Sequence, residues 1–209
     1  MALVLKARRT AAALPAAHSL LRRGTHRYHV RIDQTSVLAP LIRVDVTLAV
    51  YTTAMLSLQR AYAEVDSVLL QASFLCPEGV ACYAPRLPMI EQDLQALDAR
   101  LGSPRLTRPG LALKVPETEA EYLGIRYVVE GAQLGGRFIY GQLCCRFGAG
   151  VHAFGTFWNP ESYPQGGWSN FLKSLTRVES REGLASCVRM ARLTFRHMDD
   201  CLRGNEFGI

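Results

Sequence analysis

Apolar residues recur at every third or fourth position through much of the chain, and this spacing predicts helices. Between residues 14 and 33 it produces an apolar stripe and an opposite basic side, as in an amphipathic helix. His18 and His29 lie on or at the edge of the stripe, and His26 lies further round. The stripe consists of Leu14, Ala17, Leu21, Thr25, Tyr28 and Ile32, and the basic side carries Arg23, Arg27 and Arg31.

The same spacing continues through a second and longer helix, over about residues 40–74. Its β-branched segment VDVTLAVYTT is compatible with a strand, but the length of the periodic pattern favours a helix. Proline and glycine at 76–88 end this helix, and a short helix over about 89–101 is predicted to follow.

The next long helix begins in the segment PETEAEY, because a proline near the first turn and glutamates near the positive end of the helix dipole are typical of a helix start. It extends to about Cys145. A loop or mobile connector at 147–168 precedes two further helices, at about 169–178 and 181–203. No alternating strand pattern persists, so the sequence predicts an all-α single domain of about seven helices.

The composition suits this fold and excludes several classes of protein. Of the 209 residues, 49% are hydrophobic and 20% are charged, which is enough apolar sequence for one sizeable core. No run of about 18 uncharged apolar residues occurs, so a membrane span is not expected. The six cysteines form no CxxC pair and no secretory segment precedes them. We therefore expect reduced, mostly buried thiols and a cytoplasmic location.

The net charge of +6 comes from the N-terminus. Residues 1–32 contain seven basic and no acidic residues, whereas the remainder carries 17 basic and 18 acidic residues. These basic residues are not interleaved with aromatics, so nucleic-acid binding is not expected. An Arg-rich N-terminus also resembles a transit peptide, but the first helix begins too early to leave room for one. We predict an uncleaved chain with a flexible basic segment at 1–13, one domain at 14–204 and a tail at 205–209.

Four glycines interrupt the helix that contains EYLGIRYVVEGAQLGGRF. Each glycine costs a helix interior up to about 1 kcal/mol relative to alanine. At 100° per residue, Gly124, Gly131 and Gly135 point in one direction, and Gly136 points to the adjacent side of the helix. One interpretation is close packing against another helix. The other is a bare backbone surface for a planar ligand, with the tandem glycines allowing a kink.

A planar ligand needs an opposite wall and an anchor, and the first helix offers His29. A lone histidine at the edge of an apolar stripe is ordinarily a core residue. An imidazole on one helix and a glycine face on another, however, is the arrangement of a haem sandwich, in which a neutral nitrogen binds iron and bare backbone covers the other face. His18 and His26 are the competing ligands.

Three segments together resemble the biliverdin-producing haem oxygenases, most closely their bacterial branch, including those that serve bacteriophytochromes. LRRGTHRYHVRID resembles the family's proximal helix, with Thr25, His29 and Asp33 at the matching positions. YTTAMLSLQRAYAEVDSVL resembles the following helix. YLGIRYVVEGAQLGGRF resembles the kinked distal helix, and its matching residues are Glu130, Gly131, Leu134, Gly135 and Gly136.

This resemblance implies a fold in which haem is sandwiched between the proximal and distal helices. Haem is then both cofactor and substrate, and is cleaved with dioxygen and reducing equivalents to biliverdin, carbon monoxide and ferrous iron. His29 is implied as the iron ligand, and the backbone at Gly131 and Gly135 as the catalytic distal surface. Thr25 and Gly136 are implied to bind haem, and Arg22, Lys173 and Arg177 to hold its propionates. Arg126 and Arg137 are weaker candidates for that role.

The resemblance also implies two kinds of protein partner: an electron donor such as a ferredoxin or flavoprotein reductase, and a bacteriophytochrome or other acceptor of biliverdin. The N-terminal arginines are expected to dock an acidic donor. One residue departs from the family pattern, because Ala132 stands where animal members have an aspartate and many bacterial ones a serine. Two alternatives stay open: a non-catalytic haem carrier or sensor, and a thiamin-degrading type of helical enzyme using Cys144 or Cys145.

Overall fold

The structure, a computed structural model, describes residues 16–101, 112–164 and 166–203. These residues contain six α-helices and no strand, which confirms the all-α prediction. The predicted flexible segment 1–13 and the tail 205–209 lie outside the described residues. The helices are α1 (Ala16–Thr35), α2 (Leu48–Gln71), α3 (Leu87–Leu101), α4 (Glu119–Phe147), α5 (Gly167–Ser174) and α6 (Arg181–Leu202).

Helix α6 is the central element of the packing. Both α1 and α4 pack along it, and α2 packs against α6 and α3. The predicted stripe of α1 is buried at Ala17, Leu21 and Thr25. Helices α1 and α4 therefore both pack on α6.

Helix α2 begins later than predicted, at Leu48 rather than near residue 40. The sequence before it forms a short 3₁₀ helix, Ala39–Ile42, with Pro40 in its first turn. Thr47 then caps α2, since its hydroxyl oxygen accepts a hydrogen bond from the backbone N–H of Val50 at 3.3 Å. The Thr47 cap thus lies inside the periodic pattern, and the segment predicted as one helix is divided into a 3₁₀ helix and α2.

Helix α4 begins where the glutamate-rich segment predicted it. The Thr118 hydroxyl accepts from the N–H of Glu121 at 3.2 Å. The Glu121 carboxylate accepts from the N–H of Glu117 at 3.0 Å. This reciprocal capping satisfies donors at the helix start and favours the acidic residues near the positive end of the dipole.

The segment before α5 is not the mobile connector that was predicted. It contains the 3₁₀ helices Gly148–Ala153 and Pro160–Ser162. Asp93 of α3 accepts hydrogen bonds from the backbone N–H groups of Thr156 at 2.9 Å and Phe157 at 2.8 Å. Tyr51 of α2 donates to the carbonyl oxygen of Phe154 at 2.9 Å. Side chains from two helices therefore tie this segment to the core.

The six cysteines are free thiols, but the expectation that most are buried is wrong. Cys187 and Cys201 are buried, whereas Cys82 and Cys145 are exposed and Cys76 and Cys144 are half-buried. Among the described helices, none combines the length and the apolar character needed to cross a bilayer.

Candidate functional site

Helix α4 changes character at Glu130. Every residue from 121 to 130 is buried, and the next residues expose one side of the helix. Leu134 is 48% exposed and Phe138 is 58% exposed. These two residues, together with Gly131 and Gly135, form a surface that we call the cleft face of α4. Leu134 and Phe138 make the cleft face apolar, and its two glycines contribute no side chain of their own.

A buried charge network anchors α4 just before the cleft face. The Glu130 carboxylate accepts hydrogen bonds from Arg126 at 2.6 Å and from Arg86 at 3.2 Å. It also accepts from the Gln133 amide at 3.1 Å, one turn further along. Arg126 donates to the carbonyl oxygen of Ala81 at 2.6 Å. Arg126 is therefore held in the interior by this network.

Two of the four glycines allow close packing. A β-carbon at Gly124 would overlap the carbonyl oxygen of Cys187 on α6 and lie 3.1 Å from Met190 Cβ. A β-carbon at Gly136 would lie 3.3 Å from the ring of Trp158. The packing interpretation therefore describes Gly124 and, less strictly, Gly136.

The other two glycines, Gly131 and Gly135, belong to the cleft face and differ in what surrounds them. A β-carbon at Gly135 would meet no atom of the described residues within 4 Å, so this position borders open space. A β-carbon at Gly131 would lie 3.5 Å from the ring of Trp168, an ordinary contact distance. The sequence pattern does not predict Trp168 as this neighbour, because Trp168 comes from α5, far along the chain. Of these four glycines, Gly135 alone has backbone that borders open space in the described part of the chain.

On α1, His29 and Asp33 form the pair that the resemblance indicated. The His29 Nδ1–H donates to Asp33 Oδ2 at 2.8 Å. The His29 side chain is 63% exposed, and its ring lies 6.2 Å from the ring of Phe195 on α6. Because Nδ1 is engaged, the ring nitrogen available to a metal is Nε2, and the carboxylate orients the imidazole.

The competing histidines have different surroundings. His18 is buried against Tyr127 and Trp168, with ring centroids 6.2 Å and 6.0 Å away. Its Nδ1 atom has no hydrogen-bond partner among the described residues. Burial, followed by the nearby positive charge of Arg22, lowers the pKa of His18, so its ring is neutral at pH 7. His26 is exposed on the flank of α1.

Side chains connect α1 to α4 at one level of the cleft. The Thr25 hydroxyl donates to the carbonyl oxygen of Leu21 at 2.7 Å, and the Thr25 side chain also interacts with the Tyr127 hydroxyl. His29 lies one turn beyond Thr25 on the same stripe of α1. Gly131 and Gly135 lie one and two turns beyond Tyr127 on α4. Thr25 and Tyr127 therefore link α1 to α4 one turn from His29 and one turn from Gly131.

The predicted propionate-binding cations lie on α1 and around α5. Arg22 is exposed on α1. Lys173 donates to the Asn170 side chain at 3.2 Å. Arg177 pairs with Glu119 at the start of α4, at 3.1 Å. The roles of these three cations stay predictions, and the partner of Arg177 was not predicted.

Two further observations bear on chemistry. Ala132 is exposed and provides no acid beside the cleft face. Within the described part of the chain, no cluster of three or more histidine, cysteine or carboxylate side chains could hold a metal ion. Axial ligation by a single imidazole needs no such cluster.

No family model matches the chain. A solved structure, that of Heme Oxygenase from Leptospira interrogans, is similar with a TM-score of 0.66 and 14% sequence identity, covering 90% of this chain and 98% of that one. At this identity the similarity shows the fold alone, an all-helical one.

The sequence comparison is more specific. The chain is 32% identical over 125 residues to a protein named Heme oxygenase from Xanthomonas campestris pv. campestris (strain 8004), and the match covers 57% of this chain and 68% of that relative. This match shows that the chain belongs to the haem oxygenase family.

Proposed function

We propose that the protein cleaves haem to biliverdin, carbon monoxide and ferrous iron, using dioxygen and reducing equivalents. The observation that carries this proposal is the presence of both a carboxylate-oriented imidazole and a bare, open glycine on two helices that pack on α6. The imidazole is that of His29 on α1, and the glycine is Gly135 on α4. These two features would suit a planar ligand whose metal takes one nitrogen ligand from the protein.

The surrounding residues fit haem in size and chemistry. Leu134 and Phe138 offer exposed apolar surface on the cleft face, which suits the porphyrin ring. Arg22 and Lys173 would hold the propionates as cations. When bound, haem supplies both the iron at which dioxygen is activated and the ring that is cleaved.

The chain's own residues would act by orientation and exclusion. Asp33 accepts the Nδ1 proton of His29, which fixes the ring orientation and leaves Nε2 to coordinate iron. A neutral imidazole avoids the strong electron donation of a thiolate ligand, which favours O–O cleavage. At Gly135 the missing side chain leaves room beside the helix backbone, and the apolar neighbours limit access of water.

Proton supply on the distal side is the step for which Ala132 matters. An alanine neither donates nor accepts a proton, so we infer that protons reach the reacting centre through ordered water and backbone groups. The same residue favours the second candidate, a haem carrier or sensor that binds haem without cleaving it. Binding is common to both functions, and turnover separates them.

Hemin titration followed by reduction under air tests the proposal. The purified protein should develop a Soret band, which should decay to a biliverdin spectrum after a reductant is added. A stable Soret band would favour the carrier, and no Soret band would contradict both functions.

Substitution tests the iron ligand. His29→Ala should remove the axial ligand and change the haem spectrum, whereas His26→Ala, a matched exposed histidine on the same helix, should leave it as in wild type. If His29→Ala retains the wild-type spectrum while His26→Ala or His18→Ala loses it, the assignment of His29 is wrong.

We further propose that an acidic ferredoxin or flavoprotein reductase supplies the electrons and that a bacteriophytochrome or another acceptor takes up the biliverdin. Exposed arginines on α1, among them Arg22, Arg23 and Arg27, support docking of an acidic donor. These partners belong to the proposal alone.

A further inference from the structure

Trp168 lies at the inner end of the cleft face. Its ring covers Gly131, where a β-carbon would lie 3.5 Å away. The ring is also packed edge-on against His18 of α1, with a centroid distance of 6.0 Å, and lies 5.7 Å from the ring of Tyr127 on α4. One side chain of α5 thus contacts both helices that border the cleft.

Trp168 is also fixed from its own helix. It stacks on Phe171, with ring centroids 5.8 Å apart and planes 27° apart. The turn before α5 contains Gly166 with φ of 72°, a left-handed conformation that glycine adopts without strain. Three aromatic neighbours on three helices hold the indole, which favours a stationary side chain over a mobile one.

This position divides the cleft face into two parts. At Gly131 the bare backbone is already in contact with an indole ring, and at Gly135 it borders open space. A flat ligand lying over Gly135 would therefore meet the edge of Trp168 as it extends toward Gly131. Gly131 and Gly135 are thus not equivalent positions for a ligand.

We propose that Trp168 is a specificity-determining wall of the haem site. It limits how far the ring extends along α4 and so selects which part of the ring rim lies beside Gly135. This proposal rests on the proposed function. Which meso carbon is cleaved depends on how the ring is seated, so Trp168 would determine the product isomer without contributing to the bond-breaking chemistry.

The second tryptophan provides a matched control. Trp158 lies under Gly136 of the same helix, where a β-carbon would lie 3.3 Å from its ring. At 100° per residue, Gly136 points well away from the direction of Gly131 and Gly135. Trp158 is also buried. Each tryptophan covers one glycine of α4, but only Trp168 borders the cleft.

The experiment compares Trp168→Ala and Trp168→Phe with Trp158→Phe in two measurements. The first is the Kd for zinc protoporphyrin, which binds without being cleaved. The second is the distribution of biliverdin isomers from hemin, separated by chromatography. Trp168→Ala should raise Kd on the order of tenfold, since one aromatic contact is lost. It should also give isomers absent from wild type, and Trp168→Phe should give a smaller change of the same kind.

Trp158→Phe should alter thermal stability without changing Kd or the isomers. Unchanged Kd and isomers in Trp168→Ala would overturn the proposal. Tighter binding in Trp168→Ala would also overturn it, because haem would then have to displace Trp168. If the wild type bound neither zinc protoporphyrin nor hemin, the proposed function itself would fail.

A fluorescence measurement without haem tests the position of Trp168 separately. In Trp158→Phe, Trp168 is the single remaining tryptophan. Because its ring packs against His18, its emission should change as His18 is protonated, and His18→Gln should abolish this change. Emission that follows pH equally with and without His18 would contradict the placement of Trp168.

Discussion

The two halves of α4 use glycine in opposite ways. In the first half, up to Glu130, all side chains from residue 121 onward are buried and Gly124 lets the helix approach the backbone of α6. In the second half, one side is exposed and Gly135 borders open space. The cost to helix stability is the same in both halves, since each glycine weakens the helix. The comparison teaches that glycine spacing identifies a bare stripe, and that the neighbours decide whether the stripe serves packing or a ligand.

Glu130 marks the boundary between the halves. Its carboxylate holds Arg126 and Arg86 in the interior, and it also contacts Gln133 beyond Gly131. Charged groups are costly to bury unless all of them are paired. The network therefore fixes the direction in which the second half of α4 leaves the core. Four substitutions and one change of salt concentration test the comparison between the two halves.

The largest effect is expected at Glu130. Glu130→Gln removes the charge with which Arg126 and Arg86 both form buried ion pairs, so stability should fall by about 3–5 kcal/mol. Thermal unfolding should shift down by roughly 6–20 °C for a chain of this size. Glu91→Gln, an exposed carboxylate on α3, is the control and should leave Tm unchanged. Equal Tm values for the two variants would show that the network does not anchor α4.

Gly124→Ala tests the packed half. The new methyl group would overlap the Cys187 carbonyl oxygen, a backbone atom that cannot turn away. Overpacking of this kind costs about 1–3 kcal/mol, and urea unfolding of the haem-free protein measures it. Unchanged stability would mean that α4 and α6 are not in close contact.

Gly135→Ala tests the open half and should have the opposite sign. The methyl group meets no atom within 4 Å, so the haem-free protein should gain up to about 1 kcal/mol from the better helix former. Haem should still bind through His29, and ring cleavage should be slower or redirected because the methyl group points toward the ligand. A clear loss of Tm with normal biliverdin formation would assign Gly135 to packing.

His18 provides a smaller and pH-dependent test at the junction with α1. Because burial lowers its pKa from 6.5, the unfolded chain binds the proton more readily. The stability contributed by neutral His18 is therefore present above pH 6.5 and is lost as pH falls below it. Urea unfolding at a series of pH values should show a smaller decline in His18→Gln than in wild type. Parallel declines would contradict the buried position of His18.

The smallest effect concerns the exposed arginines of α1. Exposed charges are screened within about 8–10 Å at ordinary ionic strength, so added salt should slow turnover supported by an acidic donor. Turnover driven by a small-molecule reductant is the control and should change less, with the Soret band showing that haem stays bound. Equal salt dependence for the two reductants would argue against docking through these arginines.

Features that depend on a single helix are those that a sequence can indicate. His29 and Asp33 are four residues apart, so their contact follows once α1 forms. The start of α4 followed in the same way from local capping. By contrast, the late start of α2 could not be predicted, because the cap at Thr47 lies inside a continuous apolar pattern. The order of the connector before α5 could not be predicted either, because the side chains that hold it, Asp93 and Tyr51, come from distant helices.

The sequence by itself determined that the chain is helical, which family it belongs to, and which residues share one side of each helix. The tertiary structure decided what each side meets. Gly124 meets α6, Gly131 meets Trp168, and Gly135 meets open space, although all three point in similar directions along α4. Arg177 likewise pairs with Glu119, 58 positions away. Helix geometry repeats every few residues and can be inferred locally, whereas these neighbours arrive from distant segments and depend on how the whole core packs.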